Sequence, residues 1–192
     1  MSRLIISAHA DTGFKSHRLR RARPGQHNAL LYGHLDNFVG VHAVMQAYFS
    51  GRLDLPRVQI NLTYGEESGD FAGAREVAKR LRPHDVVLVV DVTGTPTKAD
   101  IVFEKAKNAN MRRLIRKYLA GTSYDLYVGC PDPVANQDET DVYRRVCPYT
   151  VFLGIPVLGG DYNRRRVYCR PQSIAAAAEA ICRFAEGWEG HP

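Results

Sequence analysis

The chain has 192 residues, 45% of them hydrophobic and 24% charged, with a formal net charge of +6. That is the composition of an ordinary globular protein with enough length to bury a core, so one domain over residues 1–192 is expected. No apolar run approaches a membrane span, Arg3–Ala8 is too short for a signal-peptide core, and Cys130, Cys147, Cys169 and Cys182 lack CxxC spacing. The expectation is a cytoplasmic protein with reduced thiols and no membrane partner.

In chain order, Leu4–Ser7 reads as the first strand and Ala29–Tyr32 as the second. Val41, Val44, Met45 and Tyr48 share one side of a helix predicted over Phe38–Phe49, which Gly51 stops. A strand over Val58–Thr63 leads through Ser68-Gly69-Asp70, a plausible cap, into a helix over Phe71–Leu81. Val86–Val90 is apolar enough to be buried on both faces. A helix over Asn108–Leu119, strands at Asp125–Val128 and Tyr149–Leu153, and a helix over Gln172–Ala185 complete the list. The last helix holds Ala175–Ala178, a surface for close packing. Strands alternating with helices predict a three-layer α/β/α sandwich with a mixed, largely parallel sheet. Gly121–Asp138, rich in Gly, Pro and Asp, reads as a long loop that borders a site.

Acidic and histidine residues recur at the predicted strand ends, where ligands bind in open α/β sheets. The first strand runs into His9-Ala10-Asp11, the second through His34 to Asp36, the third to Glu66-Glu67, and the fourth to Asp91. An imidazole at 9 can ligate a metal while Asp11, two residues on, receives its other ring N–H. Asp36 has two oxygens with which to bridge two ions. Adjacent carboxylates at 66 and 67 repel each other, and a cation relieves that repulsion, leaving one to ligate and the other to move protons. Asp91 ends an apolar strand, a costly position unless it is metal-bound, paired, or capping the turn at Thr93-Gly94.

The segments His9–Phe14, Leu35–Gly40, Glu66–Ala74 and Val90–Pro96 resemble, in order, signatures of the cocatalytic zinc aminopeptidases, in particular the glutamyl and tetrahedral aminopeptidases. Thr140-Asp141 and Leu153–Pro156 resemble later segments, so the likeness spans residues 4–175. It implies a zinc-exopeptidase fold, two divalent ions (zinc, with cobalt or manganese as alternatives), and a peptide or small amide as substrate. It implies further that His9 and Asp91 hold one ion, Glu67 and a residue near the C-terminus the other, and that Asp36 bridges. Glu66 would be the general base and Asp11 would orient His9.

The pattern departs from the family in three places. Cys169, in Val167-Tyr168-Cys169-Arg170-Pro171, stands where the family has its last histidine ligand. It is expected either as a thiolate ligand favoured by Arg166 and Arg170, or as a packing residue beside a weakened or single-metal site; His34 and His42 are possible substitutes. Only a short segment separates His9 from Asp36 where the family inserts a β-rich domain, and the HxD motif begins at position 9, whereas the family normally has a leader of several dozen residues before it. A sheet edge left uncovered in this way predicts a homo-oligomer. The arginine runs His17–Arg23 and Asn163–Arg166 lack the aromatic interleaving of a nucleic-acid surface, so no nucleic-acid partner is expected. The functional expectation is a metal-dependent aminopeptidase-type hydrolase, with a non-catalytic scaffold that binds metal, peptide or a partner chain as the alternative.

Overall fold

The computed structural model describes residues 2–14, 20–21, 30–135 and 137–188. Its strands are β1 (Leu4–His9), β2 (Arg20–Arg21), β3 (Leu31–Gly33), β4 (Val58–Thr63), β5 (Val86–Thr93), β6 (Ile101–Glu104), β7 (Tyr124–Leu126), β8 (Thr150–Leu158) and β9 (Val167–Cys169). The helices are α1 (Phe38–Phe49), α2 (Ala72–Ala78), α3 (Ala109–Tyr118), α4 (Glu139–Tyr143) and α5 (Pro171–Gly187).

The strands form one mixed sheet in the order β2-β3-β9-β8-β5-β1-β4, with β6 paired to β8 and β7 to β6. Its centre, β4-β1-β5-β8, is parallel. Antiparallel pairing begins beyond β8, which binds β6 along its first half and β9 along its second. Every residue of β1 and β5 is buried, as their continuous apolar runs require of strands covered on both faces.

Alternation along the strands divides the core in two. Leu4, Ile6, Leu88 and Val90 pack with Val39, Ala43 and Val44 of α1, with Ile115 of α3 and with Ala177 and Ile181 of α5. Ile5, Val87 and Val89 point the other way, onto Phe71, Ala74, Tyr143 and Cys147 around α2 and α4. Each large side chain fully buried in this way contributes roughly 1.5–3 kcal/mol. The three layers match the fold predicted from the alternating elements.

The elements differ from expectation mainly where they are short. Helix α2 stops at Ala78 rather than Leu81; its N-cap is Phe71, which makes no side-chain capping bond, and Asp70 Oδ1 accepts from Ala72 N at 2.9 Å. Strands β6 and β9 and helix α4 were not expected; none is long enough to show a periodic pattern. Ala29 lies outside the described residues, as does most of the arginine run 17–23. β4 is a sheet edge, and Leu62 and Tyr64 at its carboxyl end are exposed. No described helix is long and apolar enough to cross a membrane.

Candidate metal centre

Strands β1 and β4 are neighbours, but the connection after β1 crosses one face of the sheet through α1 and the connection after β4 crosses the other through α2, which opens a crevice at their carboxyl ends. Parallel pairing sets Ser7 beside Val89, and two residues further the same alternation brings His9 and Asp91 together on one face. Asp36 enters from the loop between β3 and α1. The next residue ties that loop down: Asn37 Nδ2 donates to Val90 O at 2.8 Å, and its Oδ1 accepts from Gly40 N at 3.0 Å, capping α1. A Cβ at position 40 would lie 2.1 Å from Asn37 Oδ1, so the cap requires glycine. Glu66 and Glu67 sit in the turn after β4, closed by Gly69 N to Glu66 O at 2.8 Å and Phe71 N to Gly65 O at 2.7 Å.

These segments converge on His9. Its Nε2 lies 3.1 Å from Asp36 Oδ1, 3.3 Å from Asp91 Oδ2 and 3.9 Å from Glu66 Oε2. On the other side of the ring, Nδ1 faces Asp11 Oδ1 at 3.5 Å. Asp11 Oδ2 accepts the Glu67 backbone N–H at 3.2 Å, which fixes the Glu66-Glu67 turn to the loop after β1. Gly13 permits this approach, since a Cβ there would come within 2.8 Å of Glu67 Oε2.

The electrostatics follow from crowding. Burial favours neutral imidazole, but Asp91 and Asp36 overcome it and hold His9 above its ordinary value. Burial pushes Glu66 up, and Asp91 and Asp36 add to the push while His9 opposes it. Asp91 is raised by burial against the pull of His9, with Asp36 raising it further. Glu67 is raised by burial and by Asp36, with the Gly13 N–H working against them.

Such a group fits a divalent cation. One ligand atom each from His9, Asp36 and Asp91 lies within 4.8 Å of the others, and all three residues are buried. Three protein ligands with a position left open is the usual donor set of a catalytic zinc. Among the described residues, buried Glu67 Oε1 and Asp11 Oδ1 have no hydrogen-bond partner, a cost that positive charge at the centre offsets.

Among the described residues, no such three-residue group includes Glu67 or Cys169. Cys169 is fully buried in the apolar core; β9 pairs it with Leu31 and Val157. Burial pushes its thiol up to about 12, only weakly opposed by Arg170. The thiolate expected from the neighbouring arginines is therefore not favoured: Arg170 is engaged with the Ala99 carbonyl and Asp100, and Arg166 is exposed. His34 stacks on Phe14 at 3.8 Å, and His42 is exposed on α1; neither joins the group.

The structure adds residues that sequence reasoning did not name. Asp132, Gln137 and Tyr162 line a small cavity with Asp36, Glu66 and Asp91; Tyr162 Oη donates to Asp132 Oδ2 at 2.7 Å. Asn163 and Arg164 border an open trough of about 610 Å³ beside Glu66 and Glu67. The doubtful loop before Asp138 and the second arginine run thus carry parts of the site, although no signal singled out individual residues in them.

The fold is that of aminopeptidases. A TET aminopeptidase from the marine sediment archaeon Thaumarchaeota archaeon SCGC AB-539-E09 superposes with a TM-score of 0.70 at 16% identity, over 90% of this chain and 55% of that one. The corresponding values for PhTET1-12s, a dodecamer, are 0.69, 14%, 88% and 53%. For an M18-family aminopeptidase from Thermotoga maritima they are 0.62, 14%, 87% and 47%. The chain spans about half the length of these proteins. No family model and no curated protein matches it in sequence.

Proposed function

We propose that this chain is a metal-dependent hydrolase of the aminopeptidase type, cleaving the amide bond at the amino end of a peptide or small acylated compound. The observation that carries this reading is the buried His9–Asp36–Asp91 group, with Glu66 3.9 Å from the imidazole. The fold shared with aminopeptidases supports it.

In this reading His9, Asp36 and Asp91 hold a divalent ion, zinc first, with cobalt or manganese as alternatives. When bound, the ion polarises the scissile carbonyl and makes the attacking water more acidic. Glu66 takes a proton from that water as the C–O bond forms. It returns the proton to the leaving amine as the C–N bond breaks. Its carboxylate, 3.9 Å from the His9 imidazole, is close enough to the centre for both transfers. Asp11, whose Oδ1 faces Nδ1 at 3.5 Å, orients the His9 ring by its charge and keeps Nε2 directed at the ion. Asp36 and Glu67 are the holders of a second, weaker ion, and Cys169 is assigned to packing.

A cytoplasmic homo-oligomer completes the proposal. It rests on the free thiols, on the open β4 edge with exposed Leu62 and Tyr64, and on the dodecameric PhTET1-12s. One observation favours a non-catalytic scaffold instead: the buried thiol of Cys169 stands outside the metal-ligand group.

Hydrolysis of leucine p-nitroanilide decides between the two readings. Turnover should disappear on chelation and return with zinc. Glu66→Gln should lower kcat by about a thousandfold with bound metal unchanged. Full activity in that variant would remove Glu66 as the base, and no turnover by the metal-loaded wild type would favour the scaffold.

A further inference from the structure

Next to the Glu66-Glu67 turn, a second depression runs between α2 and the segment that begins with α4. It is a cleft of about 480 Å³, within the size range of small-ligand sites. Two helical faces form it. Phe71, Arg75 and Lys79 succeed one another at four-residue intervals on one wall. Val142, Arg145 and Val146 lie at three- and four-residue intervals on the other. The cleft meets the trough beside Glu66 and Glu67, because Gly69, Phe71 and Gln137 line both. Phe71 is also bonded to the catalytic turn through its N–H and the Gly65 carbonyl.

The charges of the cleft are unevenly matched. Asp138 and Asp141, which also line it, are both held by Lys105 Nζ at 2.9 Å, and Asp141 lies 3.7 Å from Arg144 as well. Lys79 is paired with Glu76 at 2.5 Å. Arg75 and Arg145 remain: both are exposed, and neither guanidinium has an ion-pair or hydrogen-bond partner among the described residues. The floor is apolar, made by buried Phe71 with Val142 and Ala78 packed against it. At the metal centre the sign is reversed, since Asp36, Glu66, Asp91 and Asp132 surround the inner cavity. The continuous depression is therefore acidic at one end and basic at the other. A short peptide has the same polarity, an ammonium at its amino end and a carboxylate at its carboxyl end.

We propose that the α2–α4 cleft is the subsite for the leaving portion of the substrate and takes a carboxylate there, which Arg75 and Arg145 bind while the adjoining side chain rests on Phe71 and Val142. This rests on the hydrolase reading given above. It narrows the substrate class to short peptides with a free carboxylate on the leaving side. Guanidinium groups suit this role because they present paired N–H donors to both carboxylate oxygens.

The test compares leucyl-glycyl-leucine, its C-terminal amide, leucyl-glycyl-glutamic acid α-amide, whose γ-carboxylate is free, and leucine p-nitroanilide on the zinc-loaded full chain. The free tripeptide should exceed its amide by about tenfold in kcat/KM, expressed in KM, as expected for an exposed charge-assisted contact. Arg75→Gln and Arg145→Gln should each remove most of that preference and leave the anilide rate unchanged. If the glutamyl α-amide matches the free tripeptide, a side-chain carboxylate also fills the subsite; if it matches the leucyl amide, the subsite takes the chain terminus. Equal kcat/KM for the tripeptide and its amide would overturn the proposal. So would a change in sedimentation, without a change in KM, in the two arginine variants, which would make the cleft a subunit contact.

Failure of all four compounds to turn over would count against the hydrolase reading alone. Calorimetric binding of the tripeptide and its amide then reads the subsite directly, with about tenfold tighter binding of the acid predicted and equal affinities contradicting it.

Discussion

The two ends of β5 each carry a buried aspartate, and they are used in opposite ways. Asp85, just before the strand begins, is fully satisfied: Arg3 N reaches Oδ1 at 2.8 Å, Arg3 Nη2 reaches Oδ2 at 2.6 Å and Arg82 N reaches Oδ2 at 2.9 Å. Burial opposes its ionisation, but these donors hold its carboxyl below the ordinary range. Asp91, six residues on, has His9 and one backbone N–H, that of Val92, but shares its crevice with Asp36 and Glu66, and its carboxyl is raised. One end of the strand stabilises the fold. The other concentrates acidic groups whose charge is offset by taking up protons or a cation, as happens where function is placed at the carboxyl ends of parallel strands.

The sharpest way to break this comparison is to neutralise both aspartates in turn. Asp91→Asn removes a metal ligand and should weaken zinc affinity by about a thousandfold, since even an outer-shell partner is worth about ten- to a hundredfold. Stability of the chelator-stripped protein should stay level or rise. Asp85→Asn should do the reverse, leaving zinc binding intact and costing roughly 1–3 kcal/mol, because the buried side chain loses its charge-assisted bond from Arg3 and one of its backbone donors. Thermal unfolding with and without chelator, together with zinc titration, checks both. Similar stability losses in the two stripped variants would erase the distinction.

Proton linkage sharpens the same contrast. Asp91, Glu66 and His9 all have raised values, so the folded metal-free chain holds more protons than the unfolded one across that interval. Their stabilisation is complete below the unfolded values, about pH 4 for the carboxylates and about 6.5 for His9. It is lost as pH rises through the folded values. Asp85, with a lowered value, contributes stability that is present above about pH 4 and lost as pH falls through its folded value. Urea unfolding of stripped protein should therefore show an alkaline decline that zinc flattens, and an acid decline that Asp85→Asn removes.

The smallest expected effect is at Cys169. Cys169→Ala should cost about 1 kcal/mol for a small core cavity and leave the zinc content per chain unchanged. Loss of zinc would return the thiol to the centre.

Much of this centre is legible in the sequence because its residues follow strands whose apolar runs are unmistakable. His9, Asp91 and the Glu66-Glu67 pair each end such a run, and a sheet with parallel strands gathers its carboxyl ends. Asp36 is legible in the same way, as the acidic residue that follows the second predicted strand; that Asn37 beside it caps α1 emerges only in the structure. Cys169 shows where reasoning along the chain falls short. Its register on a three-residue strand turns the side chain into the core, and nothing in Val167–Cys169 specifies which way it faces. Asp132 and Tyr162 were not legible either, because they meet only through tertiary packing of two loops. The charges of Arg75 and Arg145 acquire meaning once α2 and α4, distant in sequence, form two walls of one cleft.

The most direct test is anomalous scattering from crystals of the full chain grown with zinc. The account predicts a peak about 2.0–2.2 Å from His9 Nε2 and from one carboxylate oxygen each of Asp36 and Asp91. Full zinc incorporation with no peak between those three side chains, and His9 still hydrogen-bonded to Asp36, would contradict it.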